Sequence, residues 1–265
     1  MADLHLVVCM KVVPKSEEIR VDRETMRLER EDARSEINPP DMNALEMALR
    51  LRDEHGGRVS ILSMGPPLFA PVLRVGLAMG ADDIFLMSDR RFGGADTLAT
   101  TYTLAHGIRK LADVDLILCG EESADGATGQ VPSGLAEWLD LPQITLATQM
   151  EINPRSRTVK GRRGVKGGYE ILKAPLPALV SVKTACNEPR FMLYERKQWA
   201  FEEAEITIWD AESVDVEGDK IGVPGSPTIV SGLDQAAMRE RRRQFLEGTA
   251  EEAARQLAAK LCQAL

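Results

Sequence analysis

The stretch best suited to chemistry is EESADGATGQVPSGLAEWL, residues 121–139, which follows the apolar run LILCG. A strand, a glycine-rich loop and a helix in succession offer backbone N–H groups to an anion. Gly126 and Gly129 permit tight or left-handed backbone, and Ser123 and Thr128 add hydroxyl donors. The loop has no Lys or Arg, and Glu121, Glu122 and Asp125 precede the helix. Neither a Gly-Lys-Ser/Thr phosphate loop nor a G-x-G-x-x-G fingerprint is present. An ordinary connection, with Asp125 capping the helix, is the commoner meaning of such a pattern. In the ligand-holding alternative, the acids face ribose or amide groups and neutral donors hold phosphate.

Two further constellations have the same double meaning. Asn38-Pro39-Pro40-Asp41 is a turn with Asp41 as a helix cap, or a loop reaching back over strand ends. Asp96-Thr97-Leu98-Ala99-Thr100-Thr101 is a capped helix start whose hydroxyls can also face a ligand. No nucleophile–base pair or carboxylate pair suited to hydrolysis stands out. Cys119, reached through an apolar run with no nearby His, reads as a packed thiol. His5, His55 and His106 are scattered, and Cys9, Cys119, Cys186 and Cys262 form no Cys-x-x-Cys pair. Binding is expected rather than covalent catalysis, with a bound redox cofactor supplying the chemistry.

These residues must be held by a sheet. The chain has 265 residues, 44% hydrophobic and 28% charged, with net charge −8. That allows one large domain with an appendage. It excludes non-specific nucleic-acid binding, which needs a basic surface. No run approaches a membrane span, the N-terminus has no basic signal-peptide region, and a reduced, cytoplasmic compartment is expected. Short apolar runs at 4–8, 59–64, 83–87 and 116–119 read as buried strands, with helices at about 41–55, 68–79 and from Asp96. This alternation implies a parallel sheet covered by helices, an α/β Rossmann-like class. Its ligands bind beyond the carboxyl ends of the strands, near Cys9, Met64, Met87 and Cys119. Residues 18–30 read as a hairpin excursion, and 144–151, 158–163 and 169–172 as antiparallel edge strands. Ala178–Val182 reads as a further buried strand. Gly222–Pro227 reads as a linker, giving an α/β domain over 1–222 and a linker with a helical arm over 223–265, the arm packing on a partner.

Taken together, these stretches resemble the β subunit of electron-transfer flavoprotein, the family that includes the FixA proteins. The likeness rests on VVCMKVVP near the start, INPPD at Ile37–Asp41, MGPP at Met64–Pro67, GLAMGADD at Gly76–Asp83 and DTLAT at Asp96–Thr100. It rests also on the opening loop with LPQ at Leu141–Gln143, on LPALVSV at Leu176–Val182 and on NEPR at Asn187–Arg190. The resemblance implies a heterodimer with an α subunit and a nucleotide site on the strand-end loops. Cys9, Asn38, Met64 and Cys119 would frame adenine and ribose, with Lys11, Pro39, Gly65, Gly120 and Glu121 on the same loops. Ser123 and Asp125, Gly126, Ala127, Thr128, Gly129, Gln130 and Val131 would hold ribose and pyrophosphate. Thr97 and Thr100 would add hydroxyl contacts.

The family has two branches. One holds a structural AMP, with a loop resembling D-x-x-x-N-Q-T-G-Q. The other holds FAD, with a loop resembling D-G-D-T-A-Q-V-G-P, and can bifurcate electrons from NADH. Asp125-Gly126, Thr128 and Gln130-Val131 fall in register with the FAD branch, as do DTLAT and GSPT (Gly225–Thr228). Ala127 replaces an acid, and Pro132-Ser133 replaces Gly-Pro. FAD is the expectation, with AMP in a non-bifurcating subunit as the alternative. A stand-alone, stress-protein-like nucleotide-binding regulator on the same type of fold is another. After NEPR the family usually continues Y-x-T-L-P-N-I-M-K-A-K-K-K. Here FMLYERKQW keeps Phe191, Leu193, Tyr194 and Trp199 as a docking cluster but lacks the Pro-Asn and the Lys run. A dehydrogenase or reductase other than a usual acyl-CoA dehydrogenase is the implied redox partner. The competing meaning is that this cluster packs on its own chain.

Overall fold

The computed structural model describes residues 4–15, 20–21, 28–29, 35–229 and 245–264. Two compact units result, Met1–Ser231 and Gly232–Leu265. The described part of the second is one helix, Ala250–Ala264, with acids in its first turn. No helix of the described residues is long and apolar enough to cross a membrane.

The first unit opens with β1 (His5–Cys9), whose five residues are all buried. Alternate residues serve opposite faces of the sheet. Leu6, Val8 and Met10 join one core layer with Ala44, Leu45, Leu49, Leu73 and Leu77. Val7 and Cys9 join the other, with Tyr102, Leu104, Ile108, Leu135 and Ala136. A strand buried on both sides needs helices on both faces, which is why its run is continuously apolar. β2 (Val12–Pro14) pairs antiparallel with β5 (Ser35–Ile37) and brings Asn38 back over the exit of β1. Between them β3 (Arg20–Val21) and β4 (Leu28–Glu29) pair antiparallel, the expected hairpin excursion. The rest of that excursion lies outside the described residues.

Next come α1 (Pro39–His55), β6 (Arg58–Met64), α2 (Ala70–Met79) and β7 (Asp83–Met87). They are followed by α3 (Thr97–Lys110), β8 (Leu116–Gly120) and α4 (Val131–Leu139). The antiparallel edge is β9 (Gln143–Asn153), β10 (Thr158–Val165) and β11 (Gly168–Pro175). β12 (Ala178–Val182), α5 (Tyr194–Gln198) and β13 (Thr207–Trp209) complete the unit. The nine-stranded order is β11-β10-β9-β12-β8-β1-β6-β7-β13. From β1 the chain winds outward through β6 and β7, then returns to β8 on the opposite side of β1. The crevice between β1 and β8 is therefore the topological switch point, where such sheets bind ligands.

Two expectations need correction. Asp41 does not cap α1: the helix begins at Pro39, with Asn38 in the cap position. A first-turn proline has no N–H to leave unpaired and its fixed φ suits the helix, so the prolines start the helix rather than delaying it. Beyond Arg190 the sequence offers no strand signal and reads as polar and irregular, yet β13 adds to the sheet beside β7. Trp209 stacks on Phe85 there, with ring centroids 4.7 Å apart. Three residues are too few to display a strand period, so only the stacking partner reveals this strand.

Candidate functional site

The site is assembled by the first turn of α1. Asp41 is buried, and its Oδ2 accepts the Lys11 amide at 2.8 Å while its Oδ1 accepts the Gly120 amide at 3.1 Å. One carboxylate thus ties together the ends of β1 and β8. Burial pushes this carboxyl up to about 7, against the pull of those amides and of Asn38. Gly120 must be glycine, since a Cβ there would lie 2.4 Å from Asp41 Oδ1. Asn38 does not cap its helix because its side chain is used elsewhere. Its Nδ2 donates to the Glu122 carbonyl at 2.9 Å and its Oδ1 accepts the Ala124 amide at 3.0 Å. Both ends of this buried amide grip the following loop.

Two of that loop's three acids are compensated from outside it. Lys11 Nζ lies 2.6 Å from Asp125 Oδ1, and Lys183 Nζ lies 3.4 Å from Glu121 Oε2. The Thr184 amide and hydroxyl also donate to Glu121 Oε1. Burial opposes ionisation of Asp125, but the Lys11 ammonium and the Ser123 hydroxyl prevail and hold it below the usual carboxylate range. Asp125 is therefore a salt-bridge partner and not the helix cap. Lys183 was missed by sequence reasoning; its signal is its place directly after β12. The left-handed positions are Ala127 (φ 46) and Gly129 (φ 61), not Gly126.

Two helix N-termini face this loop, and they differ. At α3, Asp96 Oδ1 accepts the amides of Leu98 and Ala99, so that terminus already carries a carboxylate. At α4, Gln130 occupies the cap position with no side-chain cap, and the positive end of the helix is open to an anion. Thr97 Oγ1 donates to Thr128 Oγ1 at 3.3 Å and joins the two. The amide of Thr100, one turn along α3, bonds to the Asp96 carbonyl.

The structure therefore gathers Lys11, Asn38, Thr97, Gly120, Glu121, Ser123, Asp125 and Thr128 at one crevice. Cys9 and Cys119 lie in register on β1 and β8 beneath it. Both are buried, and the Cys9 contact and burial push the Cys119 thiol well up, so it is no nucleophile. Met64 and Gly65 end β6, on the far side of β1 from the loop. The Gly65 amide is taken by the Met87 carbonyl. Alongside the loop runs a cleft of about 380 Å3 lined by Glu121, Glu122, Gly129, Ser133, Thr145, Leu146 and Ser181. Thr145, Leu146 and Ser181 come from β9 and β12 and carry no motif. The nearest sequence signal is only their place near strand ends.

The aromatic segment stands apart. Its root is fixed: the Leu193 amide bonds to Ala78, and Arg196 donates to the carbonyls of Leu77 and Ala81. The preceding NEPR block clamps α1, with Arg190 on Glu46 and Asp53 and the Asn187 amide on the Asn43 carbonyl. From this base Phe191 (94%) and Tyr194 (90%) project into solvent, and Leu193 is half-exposed. Trp199 lies under the Arg196 guanidinium, 5.0 Å from its ring centroid. Packing on its own chain accounts for Trp199 in part but not for Phe191 or Tyr194.

Comparison with known proteins shows the family. The family model of the electron transfer flavoprotein domain matches residues 25–214. The chain is 43% identical over 227 residues to an electron transfer flavoprotein subunit beta of Clostridium acetobutylicum, covering 86% of each. It is 41% identical to subunit CarD of the caffeyl-CoA reductase–Etf complex of Acetobacterium woodii, again over 86% of each chain. It is 40% identical to the FixA protein of Azorhizobium caulinodans, over 90% of this chain and 87% of that one.

Proposed function

The chain belongs to the electron transfer flavoprotein family, among its β subunits, and on that premise we propose that it holds FAD at the β1–β8 crevice. With its α subunit it then passes electrons between a dehydrogenase or reductase and an acceptor. The observation that carries the nucleotide reading is the uncapped start of α4, facing a loop whose Asp125 and Glu121 are already paired with Lys11 and Lys183. An anion arriving there meets helix-dipole charge and hydroxyls, and two of the loop's three carboxylates are already paired.

The residues fit the group. The pyrophosphate has the Gly129–Val131 backbone and the Thr128 and Thr97 hydroxyls. A Cβ at Gly129 would approach nothing closer than 3.6 Å, so the backbone is open to a ligand. Ribose hydroxyls have Glu122 and Ser123 at the loop mouth. When bound, FAD supplies the redox chemistry, and the chain's task is to bind it, orient it and set its surroundings. Asn38 and Asp41 keep the loop in place, and the buried thiols below present an apolar floor. The Asp125-Gly126-x-Thr128-x-Gln130-Val131 register favours FAD over the AMP alternative. NADH as electron donor, and bifurcation, go with the FAD branch and depend on flavin potentials that the α subunit helps to set. A reducing, cytoplasmic setting goes with the free thiols.

The test is to denature the purified heterodimer and count its nucleotides. Two FAD and no AMP are expected, and one FAD with one AMP overturns the assignment.

A further inference from the structure

Gly222–Pro227 reads as a linker in sequence, yet together with Thr228 it is strapped to the turn entering α3. The Asp96 amide donates to Ser226 Oγ at 2.8 Å, and Ser226 Oγ donates to the Gly222 carbonyl at 2.6 Å. The Asp96 carboxylate is divided. Oδ1 caps α3, while Oδ2 accepts the Thr228 amide at 3.0 Å and its hydroxyl at 2.7 Å. Close approach is built into both sides. A Cβ on Gly222 would lie 2.0 Å from the Arg91 carbonyl oxygen, and one on Gly94 would lie 2.6 Å from Val223. The residue after Asp96 is Thr97, whose hydroxyl meets Thr128 in the nucleotide loop.

We propose that Asp96 is a positioning residue that latches the Gly222–Thr228 strap to the first turn of α3, so that nucleotide held at Thr97–Thr128 and attachment of the strap stabilise each other. The latch rests on the nucleotide reading above. With the strap in place, both carboxylate oxygens are engaged and Asp96 cannot rotate off the helix end. The first turn is then fixed, and with it the Thr97 hydroxyl. If the strap is released, Oδ2 loses two donors, the cap is free to turn, and Thr97 is no longer held against Thr128. Coupling of this kind is reciprocal: nucleotide must tighten the strap by the factor that the strap tightens nucleotide. The first unit ends three residues beyond Thr228, so the strap is also where the chain nears the end of that unit.

The experiment is hydrogen exchange at the Ser226 and Thr228 amides in the full heterodimer, with and without added FAD, and separately with AMP, alongside nucleotide affinity. Nucleotide is expected to slow exchange at Thr228 by about fivefold or more. Thr228→Val should weaken binding by a similar factor and abolish the protection, and Thr228→Ser, which keeps the hydroxyl, should restore both. Nucleotide that binds without changing strap exchange overturns the latch alone. Equal loss in the Val and Ser variants assigns Thr228 to packing and overturns it as well. A wild-type heterodimer that takes no nucleotide in this subunit overturns both the nucleotide reading and the latch. The exchange comparison in wild-type protein needs no variant to fold.

Discussion

At the scale of residues, Asp41 matters most, because it is buried and both oxygens accept backbone amides from different strand ends. Burial raises its folded pKa to about 7, above the unfolded value of about 3.9. The folded state therefore binds this proton more tightly than the unfolded chain does. Its contribution to stability is full below about pH 4 and is lost as pH rises through about 7. Glu46, Asp96 and Asp125 have lowered values and act in the opposite sense at acid pH. The difference between wild type and Asp41→Asn isolates Asp41. Urea unfolding from pH 4 to 8 should show wild type losing up to about 4 kcal/mol relative to the variant across that window. A pH-independent difference would mean that Asp41 does not titrate there. On the FAD reading proposed above, Thr128 serves the ligand instead. Thr128→Val should weaken FAD retention in this subunit by tenfold to a hundredfold, the worth of roughly 1.5–3 kcal/mol for a hydroxyl bonded to a charged group. The α-subunit flavin should be spared, and flavin counts after dialysis decide the matter.

At the scale of elements, α1 is the organiser. Its first turn ties β1 to β8 and its exposed side is gripped by the NEPR block through Glu46, which lies buried between Arg50 and Arg190. Removing Arg190 leaves one buried carboxylate with a single cationic partner. Arg190→Met should cost on the order of 2–3 kcal/mol, at the low end for a broken buried pair because Arg190 is itself part-exposed. Arg190→Lys should recover less than half, since an ammonium cannot reach Glu46 and Asp53 together as the guanidinium does. Chemical denaturation of the three proteins measures this directly. Parallel-strand runs such as LILCG were legible because burial on both faces leaves them continuously apolar. The start of α1 was misjudged because a proline pair reads as a barrier until its place in the first turn is seen. β13 was missed because its three residues have no period of their own.

At the scale of the whole molecule, the β1–β8 crevice and the aromatic segment are separate features of one unit. The crevice lies at the switch point, and the segment is rooted on the C-terminal end of α2. Phe191 and Tyr194 cover little of their own chain, so we expect the double change Phe191→Ser, Tyr194→Ser to alter folding stability by less than about 0.5 kcal/mol. The same change should raise the KM for the redox partner at least tenfold, as loss of two aromatic anchors does at an interface. Unchanged partner kinetics would remove the segment from docking. The stress-protein-like alternative does not survive a family match over residues 25–214.

By itself the sequence determined the α/β class, most of the helix and strand succession and the family. Those features are local: burial on two faces, cap chemistry and glycine spacing are written in neighbouring residues. The EESADGATGQ loop showed its hydroxyls, its glycines and its acids in the same way. Tertiary structure alone decided what neutralises Asp125 and Glu121, since Lys11 and Lys183 lie 114 and 62 residues away from these partners. It alone turned Asp41 from a cap into the tie between two strands, and a linker into a strap held by Asp96. Each of these depends on a pair distant in sequence, and no local pattern encodes which distant side chain the closed sheet will bring within hydrogen-bond reach.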